Sequence, residues 1–129
     1  MKFEELYKMD TFANETGVVL DELNDDHAVM HIEIKPQHLN GVKTAHGGVV
    51  YLLADITMAA MANYKQTPSV SIQSDIRFIG AAVEGDTLTA EAVEVSGSGK
   101  TLYNSRVTIK NQNGVLIAVA EGMLFTKRK

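Results

Sequence analysis

A single carboxylate, Asp55, stands inside a run from Val49 to Tyr64 whose other clearly polar members are Thr57 and Asn63. Burying a charge there without partners is costly, so the acid has either hydrogen-bonding company or a chemical task. Its plainest reading is a helix carboxylate that faces solvent or caps a neighbouring element. Just upstream, His46-Gly47-Gly48 sets paired glycines before the run. Such glycines permit close packing or unusual backbone angles. They also leave free N–H groups at the positive end of a helix, where an oxyanion or phosphate binds. Together the two features suit acyl transfer, which needs donors aimed at a developing oxyanion and a base or nucleophile near the carbonyl carbon. Gly47 and Asp55 are eight residues apart, about 12 Å on one straight helix. No single carbonyl touches both at ~3 Å. If both act on one substrate, they come from different subunits whose helices lie side by side and antiparallel.

The elements around this pair follow from periodicity. Val49 to Tyr64 contains no proline and little period-2 alternation, so it reads as a helix, apolar on nearly every side and therefore enclosed. Phe3 to Phe12 reads as a short amphipathic helix and Gly17 to Leu23 as a strand. His27 to Ile34 alternates, with Ala28, Met30, Ile32 and Ile34 on one face and His27, His31 and Glu33 on the other. Pro36 ends that strand, and a loop from Gln37 to Thr44 leads to the helix. Behind the helix, KQTPS is a loop and Val70 to Ile79 a strand with Val70, Ile72, Ile76 and Phe78 on one face. Thr87 to Val95, Leu102 to Lys110 and Val115 to Thr126 complete the set. Asn113-Gly114 signals a hairpin whose two turn positions both favour positive φ. The expected fold class is α+β, an antiparallel sheet of five to six strands wrapped around one long central helix in a single domain, 1–129. One sheet covers one side of the helix only. A second copy of the chain is the simplest protection for the remainder and for the sheet edges, so a homo-oligomer is expected.

Composition narrows the partners. A chain of 129 residues with 45% hydrophobic and 22% charged residues suits one soluble domain. The formal charge of −4 argues against nucleic acid. Without cysteine there is no disulfide, zinc thiolate or cysteine nucleophile. The start, MKFEELYKMD, has acids where a signal peptide needs an apolar run. The longest apolar stretch falls short of the ~20 residues of a membrane span. A cytoplasmic location is the resulting expectation.

Rival motifs fail on inspection. SGSGKT resembles a phosphate loop, but Glu94 stands where that pattern needs glycine and a strand follows; Lys100 could still reach a phosphate, or be solvated. There is no G-x-S-x-G, so His46-Gly47-Gly48 is not the oxyanion loop of a serine esterase. His31-x-Glu33 lacks the downstream cysteines of a zinc deaminase. His27 and His31 share a strand face, which is not enough for a metal site, and none is expected. Asn40-Gly41 suits a turn, and the terminal TKRK a solvated tail.

Asn40-Gly41, four residues, His46-Gly47-Gly48, six residues and Asp55 together resemble the signature of the hotdog-fold acyl-CoA thioesterases. Within that family the chain resembles the phenylacetate-pathway and 4-hydroxybenzoyl-CoA thioesterase group. VSIQSDIRFIGAAVEGDTLTAEA and SGKTLYNSRVTIKNQNGVLIAVAEGMLF extend the likeness over most of the chain. The resemblance implies a hotdog fold and hydrolysis of an acyl- or aryl-CoA to free acid and coenzyme A. Asp55 matches the family's catalytic acid, as nucleophile or general base. Gly47 matches the residue whose amide polarises the thioester carbonyl. His46 and Asn40 match supporting positions, and Ser71 falls where some members place a hydroxyl beside the acid. Ala59 stands where relatives often carry threonine, a departure that removes one partner from the acid. The resemblance further implies an intersubunit site, dimers that pair into tetramers, and no cofactor beyond the coenzyme A of the substrate. Tyr51, Met58, Met61 and Ala62 are candidate acyl-pocket walls, the methionines and alanine being equally suited to an ordinary core. Arg77 and Lys100 are candidate contacts for the coenzyme A phosphates. A non-catalytic acyl-CoA-binding module and an enoyl-thioester hydratase stay open as other uses of this fold; a hydratase needs a differently arranged Asp/His pair.

Overall fold

A computed structural model describes residues 2–65, 68–96 and 98–126. At its centre is the long helix α3, Gly47–Lys65. Alanine, leucine and methionine favour the helix, and His46 starts it by accepting the Gly48 N–H on Nδ1 at 2.9 Å, as an N-cap side chain does. The face of α3 turned to the sheet, with Leu53, Ala54, Met58, Ala60, Met61 and Ala62, is closed off from solvent. The opposite stripe, with Val49, Leu52, Asp55 and Ala59, is partly exposed.

Around α3 curls one antiparallel sheet of six strands in the order β1-β2-β4-β5-β6-β3. The strands are β1 Val19–Leu23, β2 Ala28–Glu33, β3 Ser69–Phe78, β4 Thr87–Glu94, β5 Leu102–Lys110 and β6 Leu116–Thr126. Period-2 alternation turns Ala28, Met30 and Ile32, Leu88, Ala90 and Ala92, and Tyr103, Val107 and Ile109 inward to make the core. The sheet's far edges are β1 and β3, and β3 runs along the flank of α3.

Four expectations change in detail. The single helix expected over Phe3–Phe12 is two, α1 Phe3–Met9 and α2 Thr11–Thr16. Asp10 divides them because its Oδ1 accepts the Ala13 N–H at 3.0 Å and starts a new helix. Gly17, at φ +103°, ends α2 in the left-handed region, so β1 begins at Val19.

The apolar face expected on β3 is broken by a bulge: Ser71 pairs with Leu124 and Gln73 with Met123, leaving Ile72 as the extra residue. A bulge inverts the alternation beyond it. Ser71, Ser74, Ile76 and Phe78 therefore face α3, while Val70 and Ile72 are 61% and 54% exposed. The β5–β6 hairpin turns through Asn111–Gly114 with only Gly114 at positive φ (78°). It is a longer loop than the two-residue turn expected from Asn113-Gly114. Gln66 and Thr67 of KQTPS, Gly97 of SGSGKT and the terminal 127–129 lie outside the described residues.

Candidate active site at the flank of the central helix

Gly47, Tyr51 and Asp55 fall at i, i+4 and i+8, one stripe of α3. Each faces a residue of β3. A Cβ on Gly47 would sit 3.3 Å from the Phe78 ring. Tyr51 Oη and Ser74 Oγ share a hydrogen bond at 2.6 Å. Ser71 Oγ donates to Asp55 Oδ1 at 2.8 Å. Because β3 runs antiparallel to α3, these three rungs form one seam along an open sheet edge. Asp55 is half-buried at one end of it, and its Oδ2 has no partner among the described residues. At the other end Gly47 is also half-buried, and its N–H meets no acceptor among the described residues. An acid and an unspent amide thus lie at opposite ends of one seam, separated by two helical turns.

The supporting residues hold the approach to α3. His46 uses Nδ1 as an acceptor, which places the proton of the neutral ring on Nε2. Asn40 Oδ1 accepts from the Val42 and Thr44 N–H groups at 3.0 and 3.1 Å, and its Nδ2 donates to Thr44 Oγ1. Asn111 makes the same two Oδ1 contacts, to Asn113 and Val115, in the β5–β6 hairpin. Asn40 is therefore a turn-forming side chain, which bears on the role expected for it beside a carbonyl. Its loop places Lys43 at φ +67°, where the hairpin has glycine.

One positioning residue escapes the sequence reading. His38 is buried, accepts the Lys35 N–H on Nδ1 at 2.9 Å and donates from Nε2 to the Thr16 carbonyl at 2.8 Å. Its own carbonyl accepts the His46 N–H at 2.7 Å, so it ties α2 to the start of α3. A histidine beside a proline in a polar loop carries no burial signal, so only the tertiary contact reveals it.

Of the expected pocket walls, Tyr51 lies on the seam. Met58, Met61 and Ala62 are each 0% exposed, belong to the core and line none of the grooves formed by the described residues. Met58 and Met61 lie on the side of α3 away from Val49 and Leu52, whereas Ala62 falls at i+3 from Ala59 and is buried all the same. Arg77 lies on the outer face of β3, in a groove of about 400 Å³ with Asp75, Arg106 and Glu121. The bulge puts it on the side of β3 away from Asp55. Lys100 is exposed in the β4–β5 connection.

Two grooves flank the outward stripe of α3 and share Leu52. One, about 310 Å³ and mostly apolar, lies against α2 beside His46 and Gly48. The other, about 190 Å³, lies against α1 and contains Asp55. Among the described residues no group of His, Asp and Glu is placed to hold a metal ion. No described helix is long and apolar enough to cross a membrane.

This geometry has relatives. Acyl-coenzyme A thioesterase PaaI of Escherichia coli K12 is 31% identical over 117 residues, spanning 91% of this chain and 83% of that protein. Acyl-coenzyme A thioesterase 13 of Mus musculus is 31% identical over 104 residues, 78% and 74% of the two chains. The solved structure of the E. coli PaaI protein superposes with a TM-score of 0.93 at 28% identity, covering 98% and 91%. That of smu.793 from Streptococcus mutans UA159, bound to acetyl CoA, gives 0.81 at 27% identity, covering 88% and 92%. The profile of the thioesterase superfamily, 4HBT, matches residues 42–118. With its sheet wrapped on α3, the chain has the hotdog fold and belongs to the thioesterase superfamily.

Proposed function

We propose that this chain hydrolyses acyl-coenzyme A thioesters at a site shared by two copies, Asp55 coming from one protomer and the Gly47 amide from the other. The observation that carries this reading is the seam. Tyr51 lies midway between Gly47 and Asp55, so a two-fold axis passing near the Tyr51–Ser74 contact superposes each protomer's amide on the other's acid. Such a pairing covers the open edge of β3, where Val70, Ile72 and Phe78 are more than half exposed. The names of the relatives, acyl-coenzyme A thioesterases, and the acetyl CoA bound by smu.793 supply the substrate class.

In this reading the thioester oxygen accepts from the Gly47 N–H at the positive end of α3, which stabilises the oxyanion as it forms. The Asp55 carboxylate attacks the carbonyl carbon, or takes the proton of a water that does. The C–S bond then breaks. In the water route the proton held by Asp55 passes to the departing sulfur, giving free acid and the coenzyme A thiol. In the direct route coenzyme A leaves as the thiolate and water hydrolyses the acyl–Asp55 anhydride to free acid, its proton passing to the thiolate. Ser71 holds one carboxylate oxygen and leaves the other to react. Coenzyme A enters as substrate, and no further cofactor takes part. Lys100 and Arg77, both exposed, are available to its phosphates.

Free-thiol release from a panel of acyl-CoAs tests the proposal. Asp55→Asn keeps the Ser71 hydrogen bond and the fold but removes the base, and kcat falls at least ~100-fold. Asp55→Ala gives the same loss without an amide that could regain activity. Near-parental turnover in either variant rejects the role of Asp55. Thermal stabilisation by acyl-CoA without any thiol release from the parent indicates binding alone.

A further inference from the structure

The burial of Met58, Met61 and Ala62 leaves Tyr51 alone of the four walls expected for the acyl group. The groove against α1 supplies others. It contains Asp55 and Asp10, and its apolar walls are Leu52, Ile56 and Ala59 of α3 and Phe3, Leu6 and Tyr7 of α1. On α3 these wall residues fall at i, i+4 and i+7 with Asp55 among them, so the groove runs along the helix from the acid. Toward the end of α3 it meets Asn63 and Ser69. These are tied to each other, Asn63 Oδ1 accepting the Ser69 N–H at 2.8 Å and Asn63 Nδ2 donating to the Ser69 carbonyl at 3.1 Å. The opposite wall is also held. The Phe3 and Tyr7 rings stack with centroids 6.0 Å apart, Phe3 is buried, and the Tyr7 hydroxyl donates to the Val18 carbonyl.

We propose that this groove is the acyl pocket, that α1 and Ala59 set the length of chain it accepts, and that it selects short acyl groups over fatty ones. The inference rests on the hydrolase reading above. The size follows from the volume: at about 190 Å³ the groove lies below the ~300–1,000 Å³ of pockets that take drug-sized ligands, which suits a short acyl chain and not a fatty one. A fatty acyl chain overruns the end that Asn63 and Ser69 close. Ala59 stands one turn from Asp55, midway along the floor, where any larger side chain cuts the groove short. Each methylene gained or lost in an apolar pocket is worth roughly 10- to 200-fold in discrimination, so a change at this position is readable.

The test is kcat/KM by thiol release for acetyl-, butyryl-, hexanoyl-, decanoyl- and palmitoyl-CoA, on the parent chain and on Ala59→Leu and Leu6→Ala. The parent is expected to peak below decanoyl-CoA. Ala59→Leu lowers the hexanoyl-to-acetyl ratio at least tenfold, and Leu6→Ala raises the decanoyl-to-hexanoyl ratio. Leu6 is on the half-exposed side of α1, so its truncation keeps the test alive if Ala59→Leu fails to fold. Ratios within twofold of the parent in the variants that fold, or a parent optimum at decanoyl- or palmitoyl-CoA, overturn the pocket and leave the hydrolase reading standing. No thiol release by the parent from any of the five removes both.

Discussion

Gly47 is the residue at which backbone chemistry can be edited without rebuilding the helix. As the first residue of α3 it has an N–H with no intrahelical partner. Proline is well tolerated at that position because its fixed φ suits the first turn and the donor it lacks was free already. Gly47→Pro therefore deletes the proposed oxyanion donor and keeps α3. We expect kcat to fall ~100-fold or more, with the melting temperature close to the parent's. Gly47→Ala is the control: it adds the same Cβ against the Phe78 ring, 3.3 Å away, and keeps the N–H. Its loss should be far smaller. Equal losses in both variants would trace the effect to Phe78 and not to the amide. Tyr103 tests a different balance. It is 1% exposed, its hydroxyl meets no partner among the described residues, and burial pushes its phenol well above the usual tyrosine range. An unsatisfied buried hydroxyl costs about 1–3 kcal/mol, so Tyr103→Phe should unfold at equal or higher urea concentration than the parent. A clearly lower midpoint would mean that the hydroxyl is bonded in solution.

Among the elements, β1 is the weakest joined of the strands on the far edge, and histidines brace it. His27 stands 3.1 Å from Glu22 of β1 and 2.9 Å from Glu91 of β4, and His31 of β2 stands 2.6 Å from Asp21. The Glu22 hydrogen bond, and then the charges of Glu22 and Glu91, raise the His27 pKa above its ordinary 6.5 despite the opposing effect of burial. A group whose pKa is raised on folding adds stability that is fully present below the unfolded value and lost as pH rises through the folded one. The contribution of His27 should therefore be complete at pH 6 and fade above it. Thermal melts of the parent and His27→Gln should differ more at pH 6 than at pH 8.5. A difference that is constant, or that grows with pH, contradicts the brace. At the opposite edge no such histidine brace holds β3 among the described residues; Ser71 and Ser74 spend their hydroxyls on α3 instead, which is how Ser71 comes to hold Asp55.

For the whole molecule the question is whether one chain is enough. A chain of 14.0 kDa leaves the β3 edge and its apolar side chains open, and the seam separates acid from amide by about 12 Å. Sedimentation equilibrium should give a particle of at least twice the chain mass. Co-expression supplies the sharper test. In a mixed dimer of Asp55→Asn and Gly47→Pro chains, one of the two sites combines both lesions and the other has neither. With half of the dimers mixed, the preparation should recover roughly a quarter of parental activity, because each closed two-fold pair holds two sites. A site contained within one chain would stay dead in that mixture.

Periodicity and local chemistry were enough for most of the elements and to single out Asp55 as a candidate. Alternation on β2, β4 and β5 and the apolar run of α3 are properties of neighbouring residues, and Asp55 stood out because a charge in such a run is costly. The spacing of Gly47 and Asp55, read with ideal helix geometry, already set them about 12 Å apart on one helix. Other features depended on contacts between distant residues. The bulge at Ile72 reversed the faces of β3, because a single unpaired residue shifts the alternation and leaves no mark in composition. The side of α3 that meets the sheet decided that Met58, Met61 and Ala62 are core. An evenly apolar helix has no strong preference of its own, so only the packed sheet and the covering α1 and α2 could choose which stripe is buried and which, with Asp55 on it, is left partly exposed.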